Sequence, residues 1–286
     1  MVAVLRGELF KTIKRPAVWA CIGILLGLAI VLGYGISWYL FTHPPAGSTT
    51  NQPRGGPTFE QLKVILYPAN VVKQTLNQWS TLGGVFALIL GVLSQGSEFG
   101  WGTVKTLFTQ HPGRLSVLGG KVITLAFTVL ITVALLFAVD AASSLVVALV
   151  DGKSTDFPPN LDLSKGVMAG WLIFGFWAVF GFTLATLFRQ SAMAIGLGLA
   201  YAILIEGIIL NILGSVGGDT VKQIQSWFPL ANTNYLVQSF GQAVRVPGQP
   251  VTKPYADANH AVAVLLAYIV VFLVVSAVMI KRRDVT

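Results

Sequence analysis

The chain has 286 residues, 54% of them hydrophobic and 10% charged, with a mean hydropathy of +0.73 and a net charge of +8. Soluble domains carry about 25% charged residues, so the composition excludes a water-soluble fold. The single cysteine, Cys21, excludes a disulfide framework.

In chain order, Val2–Arg15 comes first and predicts an amphipathic helix. Val2, Leu5, Leu9, Phe10 and Ile13 gather on one arc, with Glu8, Lys11, Thr12, Lys14 and Arg15 opposite. Residues 1–16 are therefore expected to lie flat in the headgroup layer, cations toward anionic lipid, the alternative being a continuation of the first span with snorkelling lysines. Pro16 then turns the chain upward. No cleavable leader is apparent, because the apolar run that follows is too long for one.

Six apolar runs predict six transmembrane helices, at about 17–41, 79–96, 122–146, 166–188, 191–213 and 258–280. A span needs roughly 20 apolar residues, and in lipid such runs satisfy their backbone as helices. The expected fold is an all-α integral membrane protein, with 1–286 forming one transmembrane domain. The stretch 42–78, with Pro44, Pro45 and Gly47 near its start, reads as an outer linker. Trp227, Phe228, Pro229, Leu230 and Tyr235 predict short outer helices before the last span.

Six spans put both termini on one side. That side carries eleven Lys and Arg against three acids, whereas the other carries eight against six. By the positive-inside bias the first is cytoplasmic. Topology accounts for the basicity without nucleic acid. His43, His111 and His260 are far apart, and no metal-binding or nucleotide-binding fingerprint occurs. The run Asp151–Thr155 lacks the first glycine of a phosphate loop, having Val147 there. No catalytic residue, bound cofactor or metal is expected, and the chain is not read as an enzyme.

Two acids interrupt the apolar runs. Glu206 is expected to face a cavity or pair helices. Asp140, 19 residues past Lys121, is expected near the outer interface and exposed there, with cavity facing or helix pairing as its other role. Gly23/Gly27 and Gly166/Gly170 permit close helix packing, the first pair as a candidate dimer contact.

Between the second and third runs lies the basic segment Glu98–Lys121. Trp101, Val104, Leu107 and Phe108 recur at helical spacing, and Pro112-Gly113 ends the pattern. The helix would either rest its apolar face in lipid or dock in a groove of a soluble subunit. The spacing Glu98-x3-Gly102-Thr103-x3-Leu107, then Arg114 and Lys121, resembles the pattern between the second and third spans of ABC-2 type transporter permeases. Glu8-x2-Lys11-x3-Arg15-Pro16 is similar to that family's membrane-parallel N-terminal helix, and Lys281-Arg282-Arg283-Asp284 to its basic tail.

The resemblance implies a permease subunit of an ATP-driven exporter, sited in a bacterial plasma membrane among membrane lipids. A second permease copy, in a homodimer or with a related chain, would complete the path. A separate cytosolic ATP-binding cassette subunit would hold ATP and Mg. Segment 98–110 would be the cytoplasmic coupling helix, with Glu98, Gly102, Thr103, Val104, Leu107, Phe108 and Arg114 at the ATPase contact. The alternative is a non-transporting permease-like sensor or immunity protein docking the same type of ATPase.

Overall fold

A computed structural model of the chain describes residues 2–44, 58–100, 113–210, 212–213, 217–241 and 256–282. The described residues are almost all helical, and no strand occurs among them. Six helices are long and apolar enough to cross a membrane, and the protein is a multi-pass membrane protein. In order they are α2 (Pro16–Thr42), α4 (Val71–Gly100), α5 (Arg114–Val150), α6 (Asn160–Phe188), α7 (Ser191–Ile209) and α10 (Ala258–Arg282). The shorter helices are α1 (Val2–Lys14), α3 (Phe59–Lys63), α8 (Gly218–Gln225) and α9 (Pro229–Gln238).

The second span starts earlier than its apolar run, continuous with a 3-10 turn at Pro68–Asn70. Lys73, Gln74, Thr75, Asn77 and Gln78 interrupt the hydropathy there, which hides the first turns from the sequence. Gln74 and Thr75 are buried against protein, and Gln74 Nε2 donates to the Gly33 carbonyl at 3.4 Å and to Gln78 Oε1 at 2.6 Å. A buried amide is tolerated when it is bonded, so these residues join the bundle instead of ending it. The linker also has local order: Thr58 and Gln61 form a reciprocal capping box at the start of α3.

The bundle is built around α4 and α6. Gly91 and Gly181 let the two backbones touch: a Cβ at Gly91 would fall 1.8 Å from the Ala178 carbonyl oxygen, and one at Gly181 would fall 2.2 Å from that of Leu88. Phe174 and Trp177 lie over Gly83 and Gly84 by the same device. With no hydrophobic drive between helices in lipid, such contact is what dispersion forces require. Of the glycines singled out in the sequence, Gly166 and Gly170 pack inside the chain against Val72, Phe137 and Val133. Gly23 and Gly27 have open space above them.

The other spans assemble around this pair. Phe176 and Phe180 of α6 meet Tyr268 and Phe272 of α10, with Phe180 also against Tyr201 of α7. Thr183 Oγ1 donates to the Phe272 carbonyl at 3.3 Å and accepts from Ser276 Oγ at 3.1 Å. Burial differs sharply along the bundle. The most apolar stretch of α6 is 61% buried and that of α4 56%, against 17% for both α7 and α10. Ile203, Leu204, Val270 and Val274 point outward, as residues facing hydrocarbon do.

Two spans contain wide, π-helical stretches, Ala29–Ile36 in α2 and Tyr201–Leu210, which makes up the second half of α7 and one residue past it. Such turns are rare and often adjoin functional sites. The first turns Tyr34 inward and the second carries Glu206.

Candidate functional site

The residues assigned to coupling fall at the edge of the described chain. Gly102, Thr103, Val104, Leu107 and Phe108 lie outside the described residues. Glu98 belongs to the last turn of α4, whose backbone stays helical to Gly100, and Arg114 is the first residue of α5. The segment thus leaves the end of one long helix and enters the start of another.

What surrounds those two ends is well defined. Arg15, extended as a residue before proline tends to be, separates α1 from α2. It sends Nη1 to the Leu93 carbonyl of α4 at 3.0 Å. Lys121 of α5 donates to Glu8 Oε2 at 3.2 Å and to the Ser94 carbonyl at 3.4 Å, while Lys11 donates to Glu8 Oε1 at 2.8 Å. Glu8 and Lys121 are only 6% and 3% exposed. Val4 covers Gly120, where a Cβ would come within 2.8 Å of its Cγ1. Burial pushes the Glu8 carboxyl up, but Lys121 and Lys11 outweigh it and hold the group below its ordinary range.

Glu8, expected on the arc turned to the headgroups, instead faces the bundle, while Phe10 and Ile13 of the apolar arc lie on the protein surface. The reason is Lys121: a buried cation needs a carboxylate, and Glu8 is the acid of α1 within reach.

Asp140 corrects another expectation. It is wholly buried, not exposed at an interface. Thr75 Oγ1 donates to its Oδ2 at 2.7 Å, and Trp79 and Tyr34 flank it. Among the described residues no cation forms an ion pair with it. A small cavity of about 10 Å³ lined by Thr75, Trp79 and Ser80 adjoins the cluster. Counting from Lys121 as the membrane edge puts Asp140 too far out, because Lys121 is sealed inside the protein within α5.

Glu206 is 2% exposed. Its Oε2 accepts the backbone N–H of Leu230 at 2.5 Å, and Tyr201 contacts the same carboxylate. Leu230 is the second residue of α9, whose own N-cap position, Phe228, offers no side-chain cap. Glu206 therefore caps a neighbouring helix, a site where the exposed N–H groups and the helix dipole favour negative charge. The turn before α9 is fastened as well. Asn232 Nδ2 donates to the Ser226 and Phe228 carbonyls at 2.7 and 2.8 Å, Tyr268 Oη donates to the Trp227 carbonyl at 3.2 Å, and the His260 ring meets the Ser226 carbonyl at 3.0 Å. The short helices before the last span form a plate tied to α7 and α10.

A third cluster closes that same end. Asp151, just past α5, pairs with Lys63 at 2.8 Å and accepts from Trp38 Nε1 at 3.3 Å and Tyr67 Oη at 3.2 Å. Burial raises the Asp151 carboxyl, yet Lys63 and the hydrogen bonds from Trp38 and Tyr67 hold it below its usual range. Burial and the Asp151 charge push the Tyr67 hydroxyl up to about 12. Among the described residues no group of three or more His, Cys, Asp or Glu is placed to hold a metal.

Sequence reasoning missed the Glu8–Lys121 pair and the Gly91–Gly181 crossing. A signal for the first exists, since Glu8 is the one acid of a basic helix and Lys121 follows Gly119-Gly120 at the head of an apolar run. For the second, neither glycine belongs to a GxxxG pair. Residues 57–286 match a family described as protein of unknown function, DUF2705, a stretch that takes in five of the six spans. No curated protein matches the chain.

Proposed function

We propose that this chain, which belongs to the DUF2705 family, is the membrane permease of an ATP-driven exporter of the ABC-2 type. Two copies, or this chain and a related one, form the path, and a separate cytosolic ATPase drives it. The α1 end is the cytoplasmic end, in keeping with its cations. The membrane is the bacterial plasma membrane.

The observation that carries this reading is the clamp at the α1 end. Segment 98–110 joins two helix ends that Lys121 and Arg15 tie to α1 through Glu8, Ser94 and Leu93. Displacement of the segment is then shared by α1, α4 and α5, as a helix transmitting closure of an ATPase requires. Work passes only if the docked segment binds the two ATPase states differently. Gly23 and Gly27, open on the surface of α2, give a second copy a place of close approach.

The test is to express the chain with its candidate ATPase and insert a charge at Val104 or Leu107. Hydrolysis should continue while transport stops, with the spans still folded. Copurification and transport at wild-type levels in both variants would overturn the assignment.

A further inference from the structure

A large groove runs between α5, α6 and α10, with a volume of about 1420 Å³. Drug-sized sites occupy roughly 300–1,000 Å³, so it exceeds what an ion or small polar solute needs. Its walls are graded. Val122, Leu125, Val129, Val179 and Leu273 line it along the helices, and Lys73, Asp162, Lys165, Ser239 and Asn259 line it at helix ends. The polar residues are all at helix ends, where α4, α6 and α10 begin and α9 stops. From Asp162 to Val179 is roughly 26 Å of helix, and from Ala258 to Leu273 roughly 22 Å. One leaflet of hydrocarbon is about 15 Å deep, so the groove accommodates an acyl chain and leaves the polar end at headgroup level.

We propose that this groove binds an anionic amphiphile, a lipid with its acyl chains between α5, α6 and α10 and its headgroup at Lys73 and Lys165. Two cations there face a single acid, Asp162. Neither lysine makes an ion pair with a described residue. Small residues create the space: Ala126, Ala169, Gly175 and Ala178 line it, and a Cβ on Gly175 would meet nothing within 4 Å. The open side is flanked by Met168 and Leu266, 54% and 47% exposed, giving lateral access from the bilayer. A second copy of the chain fits less well, since it would have to bury two lysines with a single acid between them. The site does not depend on the ATPase reading, because its test reads binding and not transport.

The experiment uses the full chain in mild detergent, titrated with dioleoyl phosphatidylglycerol, dioleoyl phosphatidylcholine or glycerol phosphate, with bound species counted by native mass spectrometry. Phosphatidylglycerol should bind at least about fivefold more tightly than phosphatidylcholine, and glycerol phosphate should not bind. Lys73→Gln and Lys165→Gln should each weaken phosphatidylglycerol about fivefold and leave phosphatidylcholine unchanged. Gly175→Trp should abolish both lipids by filling the groove. Leu266→Trp, at an exposed position, makes the same test if Gly175→Trp does not fold. Equal affinity for the two lipids, or undiminished binding in folded Leu266→Trp, would overturn the proposal. So would disulfide-linked dimers of Leu266→Cys, made with Cys21→Ser, that form while excluding phosphatidylglycerol.

Discussion

The two ends of the bundle solve one problem with different chemistry. At one end Glu8 fastens the non-spanning helix α1, and at the other Glu206 fastens α9. Each carboxylate is almost fully buried. Glu8 is balanced by a formal charge, the ammonium of Lys121 with Lys11 beside it. Glu206 is balanced by the N–H of Leu230 at a helix start and by Tyr201. An ion pair commits both partners, because losing either strands the other. A helix-end cap is less exacting, since any good acceptor partly replaces it. The α1 end therefore depends on a matched pair, and the α9 end on one acceptor among several hydrogen bonds.

The largest effect expected is from Glu8→Ala, which strands Lys121. Loss of one partner of a buried pair costs about 3–5 kcal/mol, so α1 should detach and its amides exchange freely with deuterium. Replacing the pair together, with Glu8→Leu and Lys121→Met, should restore most of the stability. If the double variant is as unstable as the single, the ion pair is not what holds α1.

Next is Glu206→Leu, which removes the cap of α9 and leaves the Leu230 N–H buried without an acceptor, at about 1–3 kcal/mol. Exchange at residues 230–233 should accelerate while α1 stays protected. Glu206→Gln keeps an acceptor and loses only the charge, and should cost about 0.3–1 kcal/mol. Equal effects of Gln and Leu would show that the charge, and not the hydrogen bond, carries the cap.

Acid should also affect the α1 end. The folded-state affinity of Glu8 for protons is lowered from its ordinary value of 4.5, so its contribution is present above about that pH and is lost as pH falls through the folded value. The difference in melting temperature between the wild type and Glu8→Gln should shrink below about pH 4.5. A modest effect is expected at Lys63→Gln: the paired side chains are only 12% and 10% exposed, but Trp38 and Tyr67 still donate to Asp151, so the loss should be about 1 kcal/mol and weaker in high salt.

Much of this was legible in the sequence, and where it failed the reason is specific. Long apolar runs announce spans, because the bilayer demands some 20 residues of them. The second run understated α4, since hydropathy counts Gln74 and Thr75 as polar without knowing that Gly33, Gln78 and Asp140 would satisfy them. Trp227 to Tyr235 marked a structured region before the last span, but nothing local in the sequence says that a glutamate 24 residues before Leu230 caps it. The coupling residues rest on resemblance, and only the ends of their segment, Glu98 and Arg114, belong to described helices.

The sequence by itself determined the class of the molecule, the number of its spans and the side on which its cations collect, because each is a property of composition along one dimension. Tertiary structure alone decided which polar residues face protein: Glu8 and Lys121 together, Asp140 against Thr75, Glu206 at the start of α9, and Gly91 against Gly181. Those are meetings between distant segments. Their energy depends on burial and hydrogen-bond geometry, which exist only once the helices have packed.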